Sequence, residues 1–111
     1  MLNQNLPESE LLKTLLQPLL EDFKYWFGRS QTFLENEKVS FLEPQQQSEL
    51  LARVKQAQQE VSTAQLMFQA TGGQVGIDMA TLVPWHQLVT ECWKVAIRFR
   101  SEQATQPEVE L

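Results

Sequence analysis

The sequence predicts an all-α fold, either an antiparallel three-helix bundle or a long helical hairpin with a docked third helix. Three segments carry apolar residues at helical spacing, and the alternating pattern typical of strands is almost missing. A short connection and a glycine-rich turn separate the segments, and such connections place consecutive helices side by side and antiparallel. A chain of 111 residues forms one domain, which we expect to span residues 1–100.

The first helix is predicted at about residues 9–35. Its apolar residues fill one contiguous half of a helical wheel drawn at about 100° per residue. Pro18 interrupts this segment, and a proline inside a helix costs about 3 kcal/mol or more. Because Pro18 lies on the polar side and the apolar stripe continues in phase beyond it, we expect one bent helix rather than two helices.

The second helix is predicted at about residues 44–70. Pro44 suits the first position of a helix, where its missing N–H has no partner to lose. The glycines at Gly72 and Gly73 are expected to end the helix. The apolar residues alternate in steps of about four and about three, as in the seam of a coiled coil, and they are Leu50, Val54, Ala57, Val61, Ala64 and Phe68.

The third helix is predicted at about residues 78–100. Asp78 and Thr81 are both suitable N-cap residues. Pro84 either lies in the first turn of this helix or kinks a longer one. Residues 101–111 are acidic, contain Pro107 and show no periodicity, so we expect them to form a disordered tail.

Composition excludes several functional classes. The net charge of −5 argues against nucleic-acid binding, which requires a basic surface. A single cysteine, Cys92, cannot form an internal disulfide, which favours a reducing compartment. The first residues lack the pattern of a signal peptide, and no apolar run approaches the roughly 20 residues that span a bilayer. We therefore expect a cytoplasmic protein.

The segment VPWHQLVTECWKVAIRFR, residues 83–100, holds the only histidine and the only cysteine of the chain. His86 and Cys92 point about 120° away from each other on one helix, so they cannot bind one metal ion together. Cys92 lies in the middle of the apolar arc, where a thiol is an inert small hydrophobe. We predict no catalytic residue, no metal site and no cofactor. His86 either packs at the boundary of the arc or contacts a ligand or pigment.

Aromatic residues are concentrated in the first and third helices. The apolar arc of the third helix covers about 200°, whereas one groove between two helices needs about 100° or slightly more. A further contact must cover the excess, and interfaces favour Trp, Tyr and Arg. The residues that we expect at a protein interface are Tyr25, Trp26, Trp85, His86, Trp93, Ile97 and Phe99.

A small basic cluster, Lys94, Arg98 and Arg100, lies near the predicted end of the third helix. Cations at a helix C-terminus interact favourably with the negative end of the helix dipole, and this accounts for most of the pattern. The alternative is that the cluster contacts an acidic partner or lipid headgroups.

Four stretches resemble a small family of cyanobacterial proteins of unknown function. They are LLEDFKYWFGRS (residues 19–30), LLARVKQAQQEV (50–61), ATGGQVGIDMATLVPWH (70–86) and ECWKVAIRFR (91–100). The resemblance covers nearly the whole chain except the tail. It implies a cyanobacterial source and a cytoplasmic or thylakoid-facing location, and it assigns no catalytic residue to the chain.

The sequence therefore favours a non-enzymatic helical protein that binds a protein partner, as a homodimer or as an adaptor or assembly factor. Two alternatives stay open. A pocket between the helices, lined by His86 and the tryptophans, could hold a small molecule or pigment. The third helix could instead attach the protein to a membrane surface. An enzyme is the least favoured class, because no acid, base and nucleophile converge.

Overall fold

The computed structural model describes residues 8–72 and 78–105, and these residues form three helices. Helix α1 spans Glu8–Asn36, α2 spans Pro44–Ala70 and α3 spans Met79–Thr105. No strand occurs within the described ranges. The predicted all-α bundle is therefore confirmed.

Helix α1 lies at the centre of the architecture, because it packs against both α2 and α3. It runs antiparallel to α2, since Glu35 of α1 pairs with Lys55, whereas Gly28, which comes earlier in α1, lies against Gln58, which comes later in α2. It runs parallel to α3, since ring contacts between the two helices advance together along both chains. The bundle is thus up-down-up.

The core follows the apolar stripes of all three helices. The side chains of Leu20, Phe27, Val54 and Val61 are fully buried at its centre. The stripe of α2 that the sequence predicted is buried at five of its six positions, and Ala64 is partly buried beside them. At about 25 cal/mol per Å² of apolar surface, burial of this kind is the main contribution to folding stability.

The backbones of α2 and α3 lie close together at few positions, and polar contacts between side chains join these two helices at two places. Arg53 donates two hydrogen bonds to the carboxylate of Glu91, at 3.0 and 2.9 Å. Trp85 donates its indole N–H to Glu60 at 3.0 Å. The side chains of Arg53 and Glu91 are about half exposed, so their ion pair is worth at most about 1 kcal/mol.

The helix ends agree with the sequence except at the C-terminus of α3. The predicted end at Arg100 and the start of the tail at residue 101 are wrong, because α3 continues to Thr105. Residues 101–105 contain neither proline nor glycine, and Arg98 forms an ion pair with Glu102 one turn later. Residues 106–111 of the predicted tail lie outside the described residues.

Both internal prolines are accommodated inside helices. Pro18 is exposed on α1, which continues through it. Pro84 does not begin α3, because the helix starts at Met79 with Asp78 before it. The Asp78 carboxylate accepts a hydrogen bond from the backbone N–H of Ala80 at 3.2 Å. Of the two N-cap candidates, the structure therefore selects Asp78.

The connection between α1 and α2 is held by one glutamine side chain. The Gln47 amide donates to the carbonyl oxygens of Leu34 at 2.9 Å and Glu37 at 2.7 Å, and its oxygen accepts from the N–H of Val39 at 3.1 Å. Val39 is buried, so its N–H needs this partner. One side chain thereby satisfies three backbone groups that no helix can satisfy.

Replacing Gln47 with alanine is expected to lower the free energy of unfolding by about 2 kcal/mol, because partly buried backbone groups lose their partners. Urea denaturation of the purified protein measures the loss. Gln45→Ala is the matched control, since the Gln45 side chain is exposed and donates a hydrogen bond to Glu49 on the surface. This substitution should cost about 0.5 kcal/mol or less. Equal losses in the two variants would contradict the role of Gln47.

Candidate functional site

A cavity of about 320 Å³ opens between α1 and α3, with the side of α2 beneath it. We call the opening and its rim the α1–α3 groove. Its lining is mainly apolar and aromatic, with a buried thiol and two guanidinium groups. The lining residues are Trp26, Arg29, Ser30, Phe33, Leu34, Leu50, Cys92, Trp93, Val95, Ala96, Ile97 and Arg100.

Aromatic rings form the walls of the groove. Trp26 of α1 meets Trp93 of α3 edge to face, with ring centroids 5.3 Å apart. Tyr25 packs against the other side of Trp26 at 5.0 Å. Phe33 lies seven residues after Trp26, on the same side of α1. The heptad spacing of two large rings on α1 therefore creates the wall that faces α3.

Cys92 lies in the floor of the groove and is only 6% exposed. Burial raises the pKa of its thiol above the ordinary value, and the neighbouring Ser30 opposes part of that rise by hydrogen bonding. A thiol with a raised pKa is a poor nucleophile at neutral pH. The prediction that Cys92 lies in the apolar centre of the helix face is confirmed.

The structure brings four of the seven predicted interface residues together at the groove. Trp26 and Trp93 form its aromatic wall, and Tyr25 and Ile97 flank it. Three of these apolar side chains remain well exposed: Tyr25 at 54%, Trp93 at 42% and Ile97 at 57%. The excess apolar surface that the helical wheel predicted on α3 is thus present beside α1.

Trp85 does not belong to this surface, which corrects the sequence-based expectation. It is 3% exposed, and its ring meets Phe23 edge to face at 5.5 Å. The cause is the position of α1, which covers this part of the wide apolar arc on α3. Trp85 is a core residue.

Phe99 and His86 lie away from the cavity. Phe99 is partly buried, and its ring packs on Phe33 at 5.1 Å without lining the cavity. His86 is exposed nearly two turns before Trp93 on α3. The prediction that His86 lines a pocket together with the tryptophans is therefore wrong for this cavity.

The predicted basic cluster does not form one surface. Arg100 lines the cavity, while Lys94 is exposed outside the cavity lining. The guanidinium of Arg98 stacks 4.1 Å from the ring centroid of Phe41 and forms an ion pair with Glu102. The proposed interaction with the helix C-terminus is also wrong, because α3 ends at Thr105 and its last turn contains no basic residue.

Sequence reasoning missed several residues of the cavity wall, and three of them lie one or two turns after Trp26 on α1. Arg29, Ser30 and Phe33 follow Trp26 at spacings of three, four and seven residues. These spacings place all three on the same side of α1 as Trp26. The sequence therefore shows that these residues share one side of α1, but only the position of α3 shows that this side lines a cavity.

Two kinds of site are not found among residues 8–72 and 78–105. No three His, Cys, Asp or Glu side chains in these ranges are grouped to hold a metal ion. None of the helices there is long and apolar enough to cross a membrane.

Trp85→Ala and Trp93→Ala should differ strongly in stability, since the first tryptophan is buried and the second forms a wall of an open groove. We expect Trp85→Ala to lose about 3–5 kcal/mol. The loss for Trp93→Ala should be about 1 kcal/mol, mainly from its contact with Trp26. Urea denaturation followed by circular dichroism compares the two. A larger loss in Trp93→Ala would contradict this assignment.

The buried thiol should make stability depend on alkaline pH. Because the folded state raises the pKa of Cys92 above 9.0, the fold holds the proton more tightly than the unfolded chain. This contribution is complete below about pH 9 and is lost as the pH rises further. Wild type should therefore lose more stability than Cys92→Ala between about pH 8 and about pH 10. Parallel pH profiles from urea denaturation would contradict the prediction.

Comparison with known proteins gives one match. The model of the family described as "Protein of unknown function (DUF2605)" matches residues 6–101. No curated protein and no solved structure matches the chain. The match confirms the resemblance to an uncharacterised family of small helical proteins, and it covers nearly all of the helical part. The chain belongs to the DUF2605 family.

Proposed function

We propose that this protein is a non-enzymatic helical binding module that holds a segment of another protein in the α1–α3 groove. One observation carries the proposal: exposed aromatic and apolar side chains surround a cavity whose rim bears two arginines. Trp, Tyr and Arg are the residues most enriched at the energetic centres of protein interfaces. Single exposed apolar residues are ordinary, whereas a cluster around one cavity is typical of binding surfaces.

The chemistry of the groove supports binding rather than catalysis. Of its two possible nucleophiles, Cys92 is a buried thiol whose pKa is raised by desolvation, and Ser30 has no carboxylate, histidine or lysine among the lining residues to activate it. The only histidine, His86, does not line the cavity and so cannot act as its base there. The floor is otherwise built from side chains such as Leu50 and Ala96, which can only pack.

A small-molecule site is the second candidate, and the cavity volume favours it. About 320 Å³ lies at the lower end of the range for ligand pockets, which is about 300–1,000 Å³. A pigment bound through His86 gains no support, because that side chain is elsewhere. Membrane attachment is also less favoured, since Lys94 and Arg98 lie outside the cavity that Arg100 lines.

The cellular setting of this proposal comes from the sequence resemblance. It implies a cyanobacterial source and a cytoplasmic or thylakoid-facing location, and we propose that the protein acts there as an adaptor or assembly factor. A second copy of the chain is included among the partners, since an apolar groove of this kind could also close a homodimer.

Photo-crosslinking in the native host tests the proposal. A photoreactive amino acid at position 97, in the lining of the cavity, is expected to capture one defined protein, because Ile97 is 57% exposed and would be covered by the partner. The control carries the same amino acid at Gln59, which is exposed on α2 outside the groove. Mass spectrometry identifies the captured protein.

Capture from position 97, but not from position 59, would support the proposal if Trp93→Asp abolishes it. Capture of a second copy of the chain would identify a homodimer. Equal capture from both positions, or none from position 97, would contradict a partner in the groove. Retention of a small molecule through purification under native conditions would favour the second candidate.

A further inference from the structure

We infer that the α1–α3 groove recognises an acidic segment anchored by one bulky apolar side chain. This inference rests on the proposed function and adds the chemistry of the partner. Three observations support it: the pairing of the arginines, the make-up of the cavity, and the order of charged and aromatic residues along the groove.

The chain has four arginines, of which two form ion pairs and two do not. Arg53 and Arg98 each form an ion pair with a glutamate, Glu91 and Glu102. Arg29 and Arg100 form no ion pair within the described residues, and both line the cavity. The two guanidinium groups that have no carboxylate partner therefore both lie at the cavity.

Local charge at the groove is opposite to that of the whole chain. The protein carries 14 acidic and 9 basic residues, yet the cavity lining contains two arginines and no carboxylate. Arg29 is also held in place, since it donates to the Tyr25 hydroxyl at 3.0 Å. A positioned guanidinium binds a carboxylate through two parallel hydrogen bonds, so an acidic residue is its complementary partner.

The cavity itself requires an apolar occupant. Trp26, Phe33 and Trp93 line its sides, and Leu50 and Ala96 contribute further apolar surface. A polar group inserted among these side chains would lose its hydrogen bonds to water without replacing them. One aromatic or large aliphatic side chain suits such a site, in the manner of interface anchors that fill a pocket.

Charge and aromatic surface are ordered along the groove. The Arg29 guanidinium turns back along α1 to the Tyr25 hydroxyl, so its charge lies beside Tyr25, whose ring packs on Trp26. On α3 the backbone of Arg100 lies about 10.5 Å beyond that of Trp93. The complementary segment therefore carries carboxylates beside its anchor and on the side that faces Arg100.

These features favour a protein segment over a free small molecule or a membrane. Tyr25, which does not line the cavity, exposes apolar surface beside it, and a ligand confined to the cavity would leave that surface uncovered. The groove presents two cations, whereas binding to anionic lipid surfaces depends on larger basic clusters.

Selection from a displayed peptide library tests the inference. The library consists of helical peptides of about 15 residues, since shorter isolated helices are barely stable. Its exposed positions vary among Asp, Glu, Lys, Ser, Leu, Phe and Trp. Selection on the full chain is expected to enrich peptides with one bulky apolar residue and acidic residues beside it. Their affinity should fall with added salt.

Charge reversal supplies the decisive comparison. The variant with Arg29→Glu and Arg100→Glu is expected to bind the enriched peptides roughly tenfold more weakly or worse, and to select lysine in place of acidic residues. The matched control, Lys24→Glu with Lys94→Glu, makes the same change of charge on the same two helices outside the cavity lining. It should change the affinity by no more than about twofold.

Enriched peptides without charge bias, or equal weakening in both variants, would overturn the inference. So would tighter binding of decanoate, or of vesicles of anionic lipid, at the groove than of any selected peptide. The two proposals fail separately. If position 97 captures a partner in cells and reversal of Arg29 and Arg100 leaves that capture unchanged, protein binding stands and acidic recognition does not.

Discussion

The apolar half of α1 is shared between two neighbouring helices, and the rest of the structure depends on this sharing. One part of the stripe, including Leu20 and Phe27, is buried in the common core. The adjoining part, with Trp26 and Phe33, faces α3. Because α2 and α3 make few direct contacts, the apolar surface of α1 holds most of the bundle together. Loss of its stripe would leave α2 and α3 joined mainly by the polar contacts of Arg53 with Glu91 and of Trp85 with Glu60.

Because α1 packs against both neighbours, part of its contact with α3 is incomplete, and this leaves the α1–α3 groove. Trp26 meets Trp93 edge to face, and Phe33 meets Phe99 in the same way, a geometry that holds the ring centroids of each pair about 5 Å apart and leaves space between the side chains. Small residues on α3, Cys92 and Ala96, lie opposite that space and do not fill it. Close packing is the rule in protein interiors, whereas this apolar space lies open at the surface.

Much of the fold could be predicted from the sequence, because long amphipathic stripes specify helices whatever their neighbours are. Asp78 and Pro44 marked two helix starts through local chemistry alone. The end of α3 was predicted too early, because residues 101–105 were grouped with the acidic tail although they contain no helix-breaking proline or glycine. The site was only partly predictable. A helical wheel shows that the apolar arc on α3 is too wide for one groove, but it cannot show which edge of the arc α1 covers. Trp85 was therefore predicted at the interface although it is buried in the core, and Arg29 was not predicted as a site residue.

The parallel course of α1 and α3 gives the groove a direction. Antiparallel walls can be related by a two-fold axis, and a segment lying between them can read nearly the same in both orientations. The two ends of this groove differ, because two tryptophans, Trp26 and Trp93, meet at one end and Phe33 and Arg100 line the other. A chain bound as we propose would therefore lie along the groove with one polarity, and the remainder of that chain would leave on one side.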